Sequence, residues 1–449
     1  MNTILKKIST LAQEYDFIPP EVIKEKNVKL GLRNPDGTGV VAGITTKGSV
    51  IGYHKLLRDA ENDIYDIEQC DGKLYYCGYN VSTIAENLEK TKHFGFEEIA
   101  YLLLTGTLPT REELDLFSEE LSRRRMLSRE ERRILMEDVK NDNQMYGLHS
   151  FISHMSRLDD RADSTDIEDV TRQCINIIAK VPSVVANNYN MTKFRNGGDL
   201  VVLRSKPELG MAENFLYMLT GDIPDPFEAM LFDIALILHA EHGGGNNSTF
   251  TVRVVSSSGA NTYMSIAAGV ASLSGHLHGG ANESVDLMME DMKSHVSDWG
   301  NDAEISGYLK KILENKAGDG SGKIYGFGHA VYTLSDPRAI ILKRFCRELA
   351  RRKERFDEFL LFEKVEELAT GILSERKEKV ISANVDYYSG FLYSMLGIPR
   401  EIFTPVFAMA RTAGWSAHRL EQIVQNKIIR PAYITPGLEE LQYTGIDER

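Results

Sequence analysis

The hydrophobic pattern predicts that the chain is mostly helical beyond about residue 85. In residues 95–110 apolar side chains recur at helical spacing and stop at Gly106, and residues 212–226 repeat this pattern with a stop at Gly221. The next helix is predicted to begin with Asp225 as its N-cap and Pro226 at its first position. Because this helix is apolar on nearly every side, we expect it to be buried among other helices.

Strand character is confined to the region before about residue 85. Residues 39–53 alternate Val, Ile and Thr around Lys47 and Gly48, which predicts a short β-hairpin that turns there. The charged stretch 343–380 carries both signs at helical spacing and predicts two solvated helices. The expected fold class is therefore mainly α, with a short N-terminal β-hairpin. We expect a large helical domain of residues 1–286 and 400–449, and a small helical domain of residues 287–399.

Composition narrows the class of protein. A chain of 449 residues suggests two domains or one large helical body, and its 42% hydrophobic and 26% charged residues are typical of a globular protein. The net charge of −13 argues against nucleic acid or an anionic membrane as a partner, whereas a small anionic substrate would need a local arginine cluster. No apolar run reaches the roughly 18 residues of a membrane span. Because no signal peptide is evident and the four cysteines are scattered, we expect a cytoplasmic protein.

Histidines concentrate between residues 239 and 329. His278 falls in a short loop between a helix predicted to end near Gly275 and one predicted to begin at Asn282 as N-cap. The positive end of that second helix disfavours an imidazolium, so we expect His278 to be neutral and to donate a hydrogen bond. His239 and His242 lie at a helix C-terminus, where the dipole favours protonated rings suited to a substrate carboxylate.

Three charged residues lie near predicted helix ends. Asp336 precedes Pro337 as an N-cap, so Arg338 lies in a first turn that favours a bound anion, and pairing with a neighbouring carboxylate is an equal alternative. Asp386 lies at the start of another helix, where the local sequence favours a structural N-cap. Arg411 lies in the predicted last turn of an apolar helix, where a cation is ordinary.

A metal site is the alternative chemistry for the histidines. Its ligands would be His239, His242, His276 and His278. The first pair lacks the HExxH spacing, and the second pair follows a small-residue helix instead of a strand. The spacing therefore does not favour a metal.

Seven segments, in this order, resemble the citrate synthase family. The resemblance covers nearly the whole chain beyond about residue 30 and implies an almost all-helical homodimer whose large and small domains close over acetyl-CoA and oxaloacetate. It implies no metal and no cofactor, because acetyl-CoA is a substrate. The segments are DGKLYYCGYNV, GFEEIAYLLLTGTLPT, HAEHGGGNNSTFTVRV, SGHLHGGANE, GFGHAVYTLSDPRA, NVDYYSG and FAMARTAGW.

The resemblance also implies roles for individual residues. Asp386 would remove a methyl proton from acetyl-CoA, and His278 would hydrogen-bond the thioester carbonyl as it enolises. His329 would polarise the ketone of oxaloacetate, and the preceding Gly326 and Gly328 are expected on the CoA side. The positions that bind substrate carboxylates match His242, Arg338, Arg411 and, contributed by the neighbouring subunit, Arg430.

Two departures and three alternatives stay open. The family commonly has proline where this chain has His276 and arginine where it has Cys77, so the roles of these two residues are undetermined. A 2-methylcitrate synthase using propionyl-CoA is the nearest alternative, since one methylene contributes only about 1–3 kcal/mol of discrimination. The others are a metal-dependent hydrolase that uses the histidine cluster and a non-catalytic helical scaffold.

Overall fold

The computed structural model describes residues 3–59, 64–136, 141–435, 440 and 442–448. Contacts within the chain divide it into two units, Met1–Ile44 with Ile429–Arg449, and Thr45–Ile428. The first unit contains helices α1 (Thr3–Tyr15) and α2 (Pro20–Glu25), and the short 3₁₀ helices Leu30–Leu32 and Ile446–Glu448. The predicted division of the chain at residues 287 and 399 is a separate proposition and stays a prediction.

The second unit begins with an antiparallel sheet in the order β1 (Gly48–Asp59), β2 (Ile64–Tyr76) and β3 (Tyr79–Asn80). A β-hairpin is therefore confirmed, but its predicted turn at Lys47 and Gly48 was wrong. Gly48 instead begins β1 and pairs with Tyr76 at the end of β2. The alternating pattern continues past Gly48 as one strand, and the partner strand carries so many charged and polar residues that its sequence did not suggest a strand.

The rest of this unit is helical, so the mainly α fold class is confirmed. Its helices are α3 (Val81–Thr91), α4 (Phe96–Thr105), α5 (Arg111–Arg124), α6 (Arg129–Leu135), α7 (Gln144–Met155), α8 (Ile167–Arg195), α9 (Met211–Thr220), α10 (Pro226–Ala240), α11 (Asn247–Ser257), α12 (Thr262–Leu273), α13 (Ala281–His295), α14 (Asp302–Leu313), α15 (Pro337–Arg352), α16 (Phe356–Lys377), α17 (Val385–Met395) and α18 (Phe403–Gln425).

Several predicted helix ends are confirmed. α4 and α9 end before Gly106 and Gly221, both in the left-handed conformation that glycine adopts without strain. Asp225 caps α10 by accepting hydrogen bonds from two backbone N–H groups, with Pro226 as the first helical residue. Every residue of α10 from Leu231 onward is buried, as its apolar sequence predicts. No helix in the described ranges is long and apolar enough to cross a membrane.

Three predicted positions within helices were wrong. Asn282 is not the N-cap of α13, because Gly280 precedes the helix and Asn282 is its second residue. Asp386 is not an N-cap either, since Asn384 caps α17. Arg411 lies in the middle of α18 and not in a last turn, because the helix continues through Gly414. A Cβ at Gly414 would collide with the carbonyl oxygen of Ala240, so this glycine allows close packing and does not end the helix.

Candidate active site

The end of α10 places two histidines in the interior. His239 is fully buried in the last turn, and His242 is buried just beyond it. Burial, and then the positive charge of Arg338, hold the pKa of both rings well below the ordinary value. The predicted protonation of these rings was therefore wrong, because desolvation outweighs the attraction of a helix C-terminus.

The protonated nitrogen of His329 is determined by backbone contacts. Val331 and Tyr332 donate their N–H groups to Nδ1 of His329, at 3.0 and 3.1 Å. An atom that accepts two hydrogen bonds carries no proton, so Nε2 is the donor nitrogen of the neutral ring. The ring also stacks on Tyr332, with 4.6 Å between centroids, and meets the edge of His242 at 5.0 Å.

The loop before His329 is bonded to the loop before α17. The Gly328 N–H donates to the Ser382 carbonyl, and the Asn384 N–H donates to the Gly326 carbonyl, both at 2.9 Å. The side-chain amide of Asn384 adds a third bond, to the Gly328 carbonyl. This pairing brings the segment of His329 beside the segment that carries Asp386. The expected contact of Gly326 and Gly328 with CoA stays a prediction.

Asp386 is the second residue of α17 and is only partly exposed. Burial raises the pKa of its carboxyl to about 6, despite the opposing positive charges of Arg338 and Arg411. The carboxyl is therefore close to the range in which a general base works at neutral pH. A capping carboxylate would instead be held by backbone N–H groups, a role that Asn384 fills here.

Arg338 makes the carboxylate pair that was one of its two predicted alternatives, and the other, a bound anion, stays a prediction. Its Nε and Nη2 donate to the two carboxylate oxygens of Asp336, at 3.0 and 2.7 Å. Burial lowers the pKa of Arg338, but the carboxylate of Asp336 more than offsets this, and the net pKa is raised. Its charge still acts on Asp386 and His242, so Arg338 stays near the other candidate residues.

Arg411 is a fully buried cation with unused donors. Its Nε donates to the carbonyl oxygen of His239, whereas Nη1 and Nη2 are buried and have no hydrogen-bond partner among the described residues. Burial lowers its pKa to about 10. Unpaired buried charges are costly, so the arrangement favours a bound anion that pairs with this guanidinium.

His278 is held by the first turn of α11. The Ser248 N–H donates to its Nε2 at 3.2 Å, so Nδ1 carries the proton of the neutral ring. Burial, and then the charge of Arg411, lower its pKa to about 4. The predicted neutral state is confirmed, although burial and not a helix dipole is the main cause. Ser248 was not among the predicted site residues. The available sequence signal for it was a helix that follows the glycine-rich segment 243–245.

The remaining candidates are His276, Cys77 and Arg430. His276 is exposed in the loop before α13, and no group of three or more His, Cys, Asp or Glu within the described residues is placed to hold a metal ion. Cys77 has a left-handed backbone and its Sγ contacts the carbonyl oxygen of Leu102 at 3.5 Å. Arg430 belongs to the unit formed by Met1–Ile44 and Ile429–Arg449, so its predicted role stays a prediction.

Comparison with known proteins identifies the family. The family model "Citrate synthase, C-terminal domain" matches residues 56–432. The citrate synthase of Haloferax volcanii is 37% identical over 87% of this chain and 96% of its own length. The crystal structure of citrate synthase from Thermotoga maritima has a TM-score of 0.73 and 32% identity, over 94% of this chain and 99% of that chain.

A third similar protein was solved with ligands. The citrate synthase of Thermoplasma acidophilum, solved as a ternary complex with carboxymethyl coenzyme A and oxaloacetate, has a TM-score of 0.76 and 26% identity, over 94% of this chain and 99% of that chain. These matches span almost the entire length of both partners. The chain therefore belongs to the citrate synthase family and is an enzyme that catalyses acyl transfer of the citrate synthase type.

Proposed function

We propose that the chain condenses acetyl-CoA with oxaloacetate and hydrolyses the resulting citryl-CoA to citrate and CoA. The observation that carries this proposal is the buried guanidinium of Arg411, whose two terminal nitrogens have no partner among the described residues. Its charge acts on both Asp386 and His278, so an anion bound there would lie beside a base and a neutral donor. The ternary complex of the Thermoplasma acidophilum relative supports this choice of substrates.

The first step is removal of a methyl proton from acetyl-CoA by Asp386. A thioester methyl is a very weak acid, so its enolate needs a hydrogen-bond donor at the oxygen while charge develops there. Nδ1–H of His278 supplies that donor, because Nε2 is occupied by the Ser248 N–H. A neutral imidazole donates without having given up a proton beforehand, which its lowered pKa favours.

Condensation requires an activated ketone. Nε2–H of His329 polarises the oxaloacetate ketone; the enolate carbon attacks the carbonyl carbon, the C=O π bond breaks, and the alkoxide oxygen takes the Nε2 proton to give citryl-CoA. His242, Arg338 and Arg411 bind the carboxylates of oxaloacetate, and Arg430 of a second copy completes the site in a homodimer. Water then attacks the thioester carbonyl of citryl-CoA, the C–S bond breaks, and CoA leaves. Neither a metal ion nor a cofactor takes part in this proposal.

The acyl group is the open choice within the proposal. A 2-methylcitrate synthase would use propionyl-CoA with the same residues, and one methylene changes discrimination by only about 1–3 kcal/mol. We expect kcat/KM to be higher for acetyl-CoA than for propionyl-CoA. A preference for propionyl-CoA would reassign the substrate and leave the residue roles intact.

Release of CoA thiol from acetyl-CoA tests the reaction directly. We expect thiol release that depends on oxaloacetate, with citrate formed in equal amount. Thiol release that proceeds equally without oxaloacetate would indicate a simple thioesterase and contradict the proposal.

A further inference from the structure

A second cluster of buried charged residues lies in the same part of the fold as Arg411, and the proposed function does not use it. It consists of Glu241, His418, Arg253 and Glu421, and we call it the Glu241 cluster. Glu241 and His418 are fully buried, and Arg253 is 6% exposed. Such a cluster is costly to bury unless its charges are paired.

Hydrogen bonds join the Glu241 cluster across three parts of the fold. Nε2 of His418 lies 3.0 Å from Oε1 of Glu241, and Nη1 of Arg253 lies 2.9 Å from Nδ1 of His418. Arg253 also pairs with Glu421. The cluster therefore links the loop after α10, helix α11 and helix α18.

Two glycines pack closely against the Glu241 carboxylate, one on each oxygen. A Cβ at Gly48 would lie 2.7 Å from Oε1, and a Cβ at Gly414 would lie 2.5 Å from Oε2. The Gly243 N–H donates to Oε1, and the backbone N–H of Glu241 donates to the hydroxyl of Tyr76. Close packing on both sides fixes where the carboxylate can lie.

One oxygen of this carboxylate is left over. Oε2 of Glu241 is buried and, in the part of the chain that the structure describes, has no hydrogen-bond partner, as is also true of Nη1 and Nη2 of Arg411. Burial lowers the pKa of Arg411, and Glu241 is the largest influence in the opposite direction. Arg411, Gly414 and His418 are spaced three and four residues apart on α18, so they share one face of the helix.

We propose that the Glu241 carboxylate, which makes no hydrogen bond or ion pair with Arg411 in this structure, competes electrostatically with the substrate carboxylate for this buried guanidinium. His418 restrains Glu241 by holding its other oxygen, which limits how strongly Glu241 competes with substrate. Glu241 and His418 are thus positioning residues that act through Arg411 and set the affinity for oxaloacetate. The inference rests on the proposed function.

Two substitutions should change oxaloacetate affinity in opposite directions. Glu241→Gln keeps the size of the side chain and removes the competing charge, so the Kd for oxaloacetate should fall by about fivefold, the lower end of coupling between linked sites. His418→Leu removes the donor that offsets the charge of Glu241, so this charge acts more strongly on Arg411 and the Kd should rise by about the same factor. His418→Gln restores a donor to Glu241 and should return the Kd toward the wild-type value. Isothermal titration calorimetry on the full chain measures each Kd.

Gln425→Ala is the matched control. Gln425 lies on α18 and accepts a hydrogen bond from Arg253 at 2.9 Å, but it does not contact Glu241. We expect its loss to leave the Kd for oxaloacetate unchanged. If the cluster were only a structural clamp, Glu241→Gln and His418→Leu would both weaken binding or both leave it unchanged, and either result overturns the inference.

The double variant Glu241→Gln with His418→Leu distinguishes charge competition from damage. It should bind oxaloacetate about as tightly as Glu241→Gln alone, because His418 acts only through the Glu241 charge. If Glu241→Gln does not fold, His418→Leu and His418→Gln decide: weakening that Gln fails to rescue overturns the inference. Absence of oxaloacetate binding by the wild-type chain would overturn the proposed function itself.

Discussion

Backbone N–H groups select the protonated nitrogen of two histidines in the site. The Ser248 N–H occupies Nε2 of His278, and two N–H groups occupy Nδ1 of His329. Each ring therefore presents its proton from the opposite nitrogen. Backbone donors cannot change protonation state, so these assignments hold across the pH range in which the rings are neutral.

The raised pKa of Asp386 predicts the pH dependence of catalysis. Asp386 accepts a proton only when ionised, and burial raises its pKa to about 6. The logarithm of kcat/KM for acetyl-CoA, at saturating oxaloacetate, should be level above this pH and fall by one unit per pH unit below it. A profile that bends near pH 4, the ordinary range of an aspartate, would contradict the buried environment assigned to Asp386.

The same raised pKa predicts a gain in stability when the charge is removed. Because folded Asp386 holds its proton more tightly than the unfolded chain does, its ionised form lowers stability above about pH 4, and fully so above about pH 6. Asp386→Asn should therefore raise the free energy of unfolding by about 1–2 kcal/mol at pH 7.5, less than the full shift because the side chain is partly exposed.

Denaturant unfolding at two pH values checks this gain. At pH 4 the wild-type carboxyl is mostly protonated, so the variant and the wild type should differ little. Equal stability at pH 7.5, or a loss there, would contradict the assigned cost of the charge.

Local residue chemistry could be predicted from the sequence only where the partner is a near neighbour. Asp336 and Arg338 are two residues apart, and their pairing was one of the expected alternatives. The charge of Glu241, 170 positions earlier in the sequence, raises the pKa of Arg411. No local sequence pattern indicates that these two residues share a buried region. The neutral state of His242 was likewise missed, because burial is a tertiary property.

At the scale of elements, the pairing of two loops positions the proposed catalytic groups, His329 and Asp386. Gly326 has φ of +84°, and a Cβ there would lie 2.8 Å from the ring of Tyr387 and 2.9 Å from Val285. Gly326→Ala should therefore displace the loop of His329. We expect a loss of about 1–3 kcal/mol in unfolding free energy and a fall in kcat.

Gly371→Ala is the control for this substitution. Gly371 lies in α16, and a Cβ there would meet no atom within 4 Å. The exchange should leave kcat unchanged and stabilise the helix by up to about 1 kcal/mol. Thermal unfolding and initial rates measure both variants, and equal behaviour of the two would show that the Gly326 loop does not position His329.

Element boundaries were predictable where a cap or a stop is written in the local sequence. Asp225 with Pro226, and Asp336 with Pro337, begin their helices as predicted. Glycine misled the prediction at Gly48, where it begins a strand. Its missing side chain makes room there for the Glu241 carboxylate, a contact that the sequence does not reveal.

At the scale of the whole molecule, seven ordered motifs predicted the family and the mainly helical fold, and both are confirmed. Six of the motifs span a helix end or a loop, and the seventh, FAMARTAGW, lies inside α18. The predicted homodimer and the division into large and small domains stay predictions, since they concern contacts that motifs do not encode.

Chelation tests the metal alternative on the intact enzyme. The proposed reaction uses only side chains and backbone donors, so oxaloacetate-dependent thiol release should be unchanged after incubation with excess EDTA and removal of the chelator. Activity that is lost and then restored by added Zn²⁺ would favour the metal-dependent hydrolase.

The most direct test of the central claim compares the wild-type chain with Asp386→Asn at pH 7.5. Oxaloacetate binding is measured by calorimetry, and oxaloacetate-dependent thiol release from acetyl-CoA is measured in the same preparations. We predict that the variant binds oxaloacetate with a Kd close to that of the wild type and loses at least about 10³-fold in kcat, because the proton acceptor is gone. A variant that binds oxaloacetate and turns over at a near-normal rate would contradict the assignment of Asp386 as the base.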